Sequence, residues 1–124
     1  MQKQNGVDLS LPRRGAHAVY WYNLHIVLVN DRRWRVIKQS DLEKIGSSIE
    51  SINSRRDHLI SRVAILPDHI HLIVGCNLTE SPLDAALTYM NEICLNLGNA
   101  PLFQFSLYVG TCGEYDLGVF WQGQ

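Results

Sequence analysis

Two apolar runs separated by only two residues restrict this chain more than any other feature. Residues 59–66 read Leu-Ile-Ser-Arg-Val-Ala-Ile-Leu and residues 69–76 read His-Ile-His-Leu-Ile-Val-Gly-Cys, with Pro67-Asp68 between them. Both runs are rich in β-branched and aliphatic residues, which favour strands. A link this short leaves room only for an antiparallel hairpin. Side chains at i and i+2 of a strand share a face. His69 and His71 therefore stand side by side, while Ile70, Leu72 and Val74 line the opposite face. A hydrophobic core has little use for two adjacent histidines, and two imidazoles one pleat apart can chelate a metal ion. Two ligands are not a complete site, and surface histidines beside an apolar face are the plain alternative. Asp68 reads as a turn-capping residue next to them.

The other elements can be placed around this hairpin. Residues 1–15 are polar and read as a flexible N-terminal arm. Residues 16–29 form a long aromatic and β-branched run, expected to be one continuous first strand. Asn30-Asp31 ends it, and Arg32-Arg33-Trp34-Arg35 forms an exposed basic turn with an aromatic inside it. Ser40-Asp41-Leu42-Glu43 has the form of a capping box. Leu42, Ile45, Ile49 and Ile52 follow on one helical stripe, so a helix is predicted over about 41–53. Ser81-Pro82 is a second helix start, with Ser as cap and Pro at the first helical position. Leu83, Ala86, Leu87, Met90, Cys94 and Leu97 keep helical spacing, and Gly98 is a good terminator. A fourth strand is expected over 102–109, where Phe103, Phe105 and Leu107 alternate with polar residues.

The order strand, helix, strand, strand, helix, strand predicts an α+β fold. It is a ferredoxin-like sandwich, an antiparallel sheet of about four strands with both helices on one face. Such a fold hosts many unrelated functions and does not choose among them. With 124 residues the chain makes one domain, taken here as 16–112, with 113–124 as a C-terminal tail. The formal charge of −1 gives no whole-protein basic signal for nucleic acid, so any such signal is local. Three cysteines are an odd number without regular spacing, which argues against a disulfide framework and for a reducing cytoplasm. No apolar run approaches the ~20 residues of a membrane span. The polar N-terminus lacks the apolar core of a signal peptide.

Three segments together resemble the single-tyrosine HUH transposases, which move insertion sequences as single-stranded DNA, and their REP-associated relatives. Tyr22-Asn23-Leu24-His25-Ile26-Val27-Leu28-Val29, followed by Arg32-Arg33, is similar to that family's opening strand. Leu66-Pro67-Asp68-His69-Ile70-His71-Leu72 resembles its histidine–hydrophobic–histidine strand after Pro-Asp, and Tyr108-Val109-Gly110-Thr111-Cys112-Gly113 its aromatic-Val-Gly-Thr-x-Gly segment. The resemblance implies that His69 and His71 hold Mg²⁺ or Mn²⁺ against the scissile phosphate. It implies a tyrosine nucleophile, a 5′-phosphotyrosine intermediate, a single-stranded or hairpin DNA partner and a homodimer. Arg32, Arg33, Trp34 and Arg35 suit DNA contact, since arginines hold phosphates while an aromatic stacks on an unpaired base. The same four residues also suit an ordinary solvated turn.

The chain departs from the family at the nucleophile. Members place it in a Tyr-x-x-x-Gln pattern on a further C-terminal helix, whereas Tyr115 has Val119 at the fourth place. Tyr115 is the candidate by elimination. Two readings stand: a metal-dependent transposase with a displaced tyrosine, or a truncated or decayed transposase that binds single-stranded or hairpin DNA without cleaving it. A metal-dependent hydrolase of small molecules would need a third protein ligand, and neither His17, His25 nor His58 has motif spacing to suggest one.

Overall fold

The computed structural model describes residues 2–3, 8–15, 18–30, 38–98 and 106–112. Among the described residues nine elements follow one another: β1 (Gln2–Lys3), β2 (Arg13–Arg14), β3 (Val19–Tyr20), β4 (Asn23–Val29), α1 (Gln39–Arg56), β5 (Leu59–Ile65), β6 (His69–Gly75), α2 (Pro82–Asn96) and β7 (Ser106–Cys112). Four seven-residue strands form the body of an antiparallel sheet, and β1 extends it at one edge in the order β1-β5-β6-β4-β7. Each helix joins two strands that have a third strand between them: α1 connects β4 to β5 around β6, and α2 connects β6 to β7 around β4. This is the ferredoxin-like arrangement expected from the element order.

Strand register sorts the sheet into two unlike faces. Leu24 stands opposite Val74, Ile26 opposite Leu72 and Leu28 opposite Ile70, and all six are fully buried. They form one core with Ile45, Ile49 and Ile52 of α1 and with Ala85, Ala86, Tyr89 and Ile93 of α2. Both helices therefore cover the same face. The other face carries His25, Val27 and Val29 of β4 opposite Ile73, His71 and His69 of β6. No described helix packs there.

The hairpin forms as its sequence dictates. Leu66 N–H donates to the His69 carbonyl at 2.8 Å. Asn30, buried at the end of β4, holds the turn twice: its backbone N–H donates to the Asp68 carbonyl at 2.9 Å and its Nδ2 to the Pro67 carbonyl at 3.0 Å. Ser81 caps α2 as predicted, accepting from Asp84 N–H at 3.1 Å. Gly98 follows that helix with φ of 87°, a conformation side chains resist.

Three local expectations change. The run 16–29 is not one strand: Val19–Tyr20 pairs with Arg13–Arg14 in a separate two-stranded sheet, and the main sheet begins at Asn23. The break falls at Trp21-Tyr22, whose polar ends find partners off the sheet. Trp21 Nε1 donates to the Ser10 carbonyl at 3.0 Å, and the Tyr22 hydroxyl to the Glu80 carbonyl at 2.7 Å. Helix α1 starts at Gln39 from an extended Lys38 with no side-chain cap bond, so Ser40 lies inside the first turn. The buried stripe of α2 runs through Ala85, Ala86, Tyr89 and Ile93 and leaves Leu83 exposed. Tyr89 rotates that stripe, because its hydroxyl has buried partners beneath the helix.

Candidate functional site

His69 and His71 lie on the helix-free face, one pleat apart, with their rings 4.7 Å apart and nearly perpendicular. Each ring is anchored at Nδ1. The Asp68 carboxylate stands 2.6 Å from Nδ1 of His69, so the side chain read as a turn cap is a histidine partner as well as a turn residue. Nδ1 of His71 lies 3.1 Å from Nε2 of His25, and these two rings stack at 5.4 Å. Register explains this third histidine: His25 faces Ile73 across the β4–β6 ladder, which puts it diagonal to His71. Burial lowers the pKa of His25, and burial, with the electrostatic effect of the neighbouring His69, His25 and Arg62, lowers that of His71. Both rings therefore favour the neutral form, the form that ligates metal.

The donor set fits a divalent cation. A proton on Nδ1 of His69 is taken up by Asp68, and a proton on Nδ1 of His71 by Nε2 of His25. Either arrangement leaves Nε2 with its lone pair, the pattern by which second partners orient metal-binding histidines. Imidazole suits Mn²⁺ better than Mg²⁺, and both ions take mainly oxygen, so further oxygen donors complete such a shell.

Among the described residues, one end of the face is roofed. Leu9 is buried against Ile73, with Leu59 and Cys112 beside it. Asn23 Nδ2 ties the Leu9 carbonyl at 3.2 Å. Glycine at 75 permits this approach, since a Cβ there would lie 3.1 Å from Leu9 Cδ2 and 3.3 Å from Asn23 Oδ1. Toward the Pro67-Asp68 turn the described residues leave the face more exposed, with His69 partly exposed and Tyr108, opposite Val27, 62% exposed.

Tyr115 and the cluster Arg32, Arg33, Trp34 and Arg35 lie outside the described residues. Three other arginines have partners. Arg13 bonds the Asp57 carbonyl and carboxylate at 3.0 and 3.2 Å, Arg55 bonds Glu92 at 3.1 Å, and Arg56 bonds Thr88 at 3.0 Å. The Arg13 contact meets Asp57 in the left-handed region at the end of α1, with φ of 55°.

A second polar cluster, absent from the sequence reading, lies where β5 begins, β6 ends and α2 starts. His58 Nε2 lies 2.7 Å from Glu80 Oε2, and His58 Nδ1 lies 2.8 Å from the Tyr89 hydroxyl, which reaches Asn53 Oδ1 at 2.6 Å. Cys76 is buried beside them, and His58, Cys76 and Glu80 bring nitrogen, sulfur and oxygen donors within 4.8 Å of one another. That is close enough to share a cation. Burial and the Glu80 charge push the Cys76 thiol up to about 12, and burial raises the Tyr89 hydroxyl. No sequence signal marks this cluster, because its members belong to three different element ends.

Comparison with known proteins bears on the whole arrangement. Residues 18–93 match a family described as "Transposase IS200 like". No curated protein matches the sequence. Among solved structures, a candidate transposase from Deinococcus radiodurans R1 superposes with a TM-score of 0.66 at 16% identity, covering 90% of this chain and 94% of that one. A REP-associated tyrosine transposase bound to a REP hairpin superposes with a TM-score of 0.62 at 12% identity, covering 82% of this chain and 62% of that one.

Proposed function

The chain belongs to the IS200-like transposase family, and on that premise we propose that it cuts and rejoins single-stranded DNA in a divalent-metal-dependent reaction through a phosphotyrosine intermediate. One observation supports this reading most: His69 and His71, each anchored at Nδ1, stand at the open end of the sheet face that no described helix covers. In this reading those two histidines hold Mg²⁺ or Mn²⁺. A bound ion of this kind polarises a phosphoryl oxygen and offsets the charge that develops in the transition state.

Tyr115 is the proposed nucleophile. Its hydroxyl loses its proton and attacks phosphorus, the phosphorus–oxygen bond to the 3′ carbon breaks, and the departing 3′-oxygen takes up a proton. The DNA 5′-phosphate is left on the tyrosine. The covalent link conserves the bond, so a 3′-hydroxyl can attack it in reverse and rejoin strands without an external energy source. Arg32, Arg33, Trp34 and Arg35 are the proposed DNA contacts. A single-stranded or hairpin substrate is supported by the structural neighbour that carries a REP hairpin. Residues 16–112 are the proposed domain, 1–15 its arm and 113–124 the tail bearing the nucleophile. The protein is proposed to act as a homodimer in the cytoplasm; no described helix is long and apolar enough to cross a membrane.

The test is to incubate the protein with Mn²⁺ and hairpin oligonucleotides and to look for a protein–DNA adduct that resists denaturation. The expected adduct maps to Tyr115 and disappears in Tyr115→Phe and in a chelator. Hairpin binding with no adduct at any Mn²⁺ concentration would instead describe a fold that binds DNA without cutting it.

A further inference from the structure

We propose that His58, Cys76 and Glu80 form a second metal centre, a buried structural site for a divalent cation of the zinc class, separate from the His69–His71 face. The two sites are well apart: His71 and Cys76 are five residues along one extended stretch, about 16 Å. All three side chains are enclosed, with His58 at 0% and Glu80 at 7% side-chain exposure and Cys76 at 0%.

Proton bookkeeping within the cluster points to a cation between His58 and Glu80. The Tyr89 hydroxyl has one proton, and at 2.6 Å it donates to Asn53 Oδ1. Its oxygen therefore accepts from His58 Nδ1 at 2.8 Å, which puts the imidazole proton on that nitrogen. Neutral imidazole then presents a bare lone pair at Nε2, and what it faces at 2.7 Å is the Glu80 carboxylate, also an acceptor. Two acceptors do not approach so closely without a proton between them, so His58 and Glu80 share one, the proton that an entering metal ion would displace.

The remaining donor capacity favours the metal. Glu80 Oε2 accepts from the Asn77 N–H at 3.1 Å, but Oε1 is buried with no hydrogen-bond partner, its nearest cation being Arg56 at 4.0 Å. Among the described residues the Cys76 thiol makes a single, long contact, 4.0 Å to the Val74 carbonyl. A buried carboxylate oxygen without a partner is costly, and an ion that takes it up removes that cost. Nitrogen, thiolate and carboxylate together suit Zn²⁺ and its borderline-soft relatives, whereas Mg²⁺ and Ca²⁺ avoid sulfur. Three protein ligands leave one position of a tetrahedron for a water.

Charge balance is kept when the ion enters. Cys76 releases its thiol proton and the His58–Glu80 pair releases the proton it shares, so two protons leave as one dication binds. The net charge of the enclosed cluster does not change, which spares the desolvation cost of adding charge to a buried place. Ligands at ~2.1 Å from a tetrahedral ion stand about 3.4 Å apart, so the 2.7 Å contact opens on binding. The ion then ties together the start of β5, the end of β6 and the approach to α2, and steadies the strand that displays His69 and His71.

Cobalt serves as the probe, because a thiolate bound to Co²⁺ gives a charge-transfer band in the near ultraviolet and imidazole does not. The full chain carrying His69→Ala and His71→Ala, titrated with Co²⁺, should bind one equivalent with that band, and Zn²⁺ should bleach it. Cys76→Ser should abolish the band, and Glu80→Gln should weaken binding at least about tenfold. The paired Cys94→Ser, Cys112→Ser variant keeps Cys76 as its one thiol and should retain the full band, which covers the case in which Cys76→Ser does not fold. Two protons per ion should appear in a weakly buffered indicator solution. A band that survives Cys76→Ser, or no band in the variant retaining only Cys76, overturns the proposal and leaves a proton joining His58 to Glu80.

Discussion

Two histidine clusters sit on this small sheet and solve opposite problems. His69, His71 and His25 are displayed from strands β6 and β4 on the face that no described helix covers, and their anchoring contacts orient rings without enclosing them. His58 is enclosed at the ends of three elements, bonded through both ring nitrogens to Tyr89 and Glu80. Among the described residues, this first cluster is the less enclosed of the two. The enclosed one is part of the core, so any group removed leaves buried partners unsatisfied. On the proposed function, reactivity falls to one set of histidines and stability to another, and each assignment can be broken separately.

The largest effect should come from the open face. His69→Ala combined with His71→Ala should abolish Mn²⁺ binding measured by titration calorimetry and remove the DNA adduct, while the urea midpoint stays in place. A large fall in stability would mean that this face also holds the fold and would erase the contrast. His58→Ala should do the reverse. It leaves Tyr89 and Glu80 buried without their partner, so equilibrium unfolding should show a loss of about 3 kcal/mol. Mn²⁺ affinity of the folded protein should be unchanged; a loss under about 1 kcal/mol would show the cluster to be slack.

Smaller changes sharpen the picture within each cluster. Asp68→Asn replaces the acceptor that orients His69, and Mn²⁺ affinity should fall about tenfold with no change in thermal midpoint. Unaltered affinity would show that the His69 ring is positioned by the strand alone. Ser81→Ala removes the cap of α2 directly after Glu80 and should cost about 1 kcal/mol. If the loss is larger, the cap is coupled to the enclosed cluster beside it, which a double-mutant cycle with Glu80→Gln would measure.

Much of the fold was legible because it depends on short-range periodicity. The Pro67-Asp68 link, the alternation that splits His69 and His71 from Ile70, Leu72 and Val74, the stripe of Ile45, Ile49 and Ile52, and the Ser81-Pro82 start are all present as expected. Failures occur where a side chain finds a distant partner. Trp21 and Tyr22 look like the middle of a strand, yet bonds to Ser10 and Glu80 end it there. Tyr89 lies outside the stripe that helical spacing marks, yet its hydroxyl turns α2 to meet His58 and Asn53.

The same division governs the sites. Sequence alone determined that two histidines share a strand face and that a core lies behind them, because a strand alternates whatever it pairs with. It could not place His25 beside His71, since that depends on the β4–β6 register, set by packing of the whole sheet. Nor could it gather His58, Cys76 and Glu80, which no period connects. Only the closing of three element ends over one buried point brings those groups within reach of a single ion.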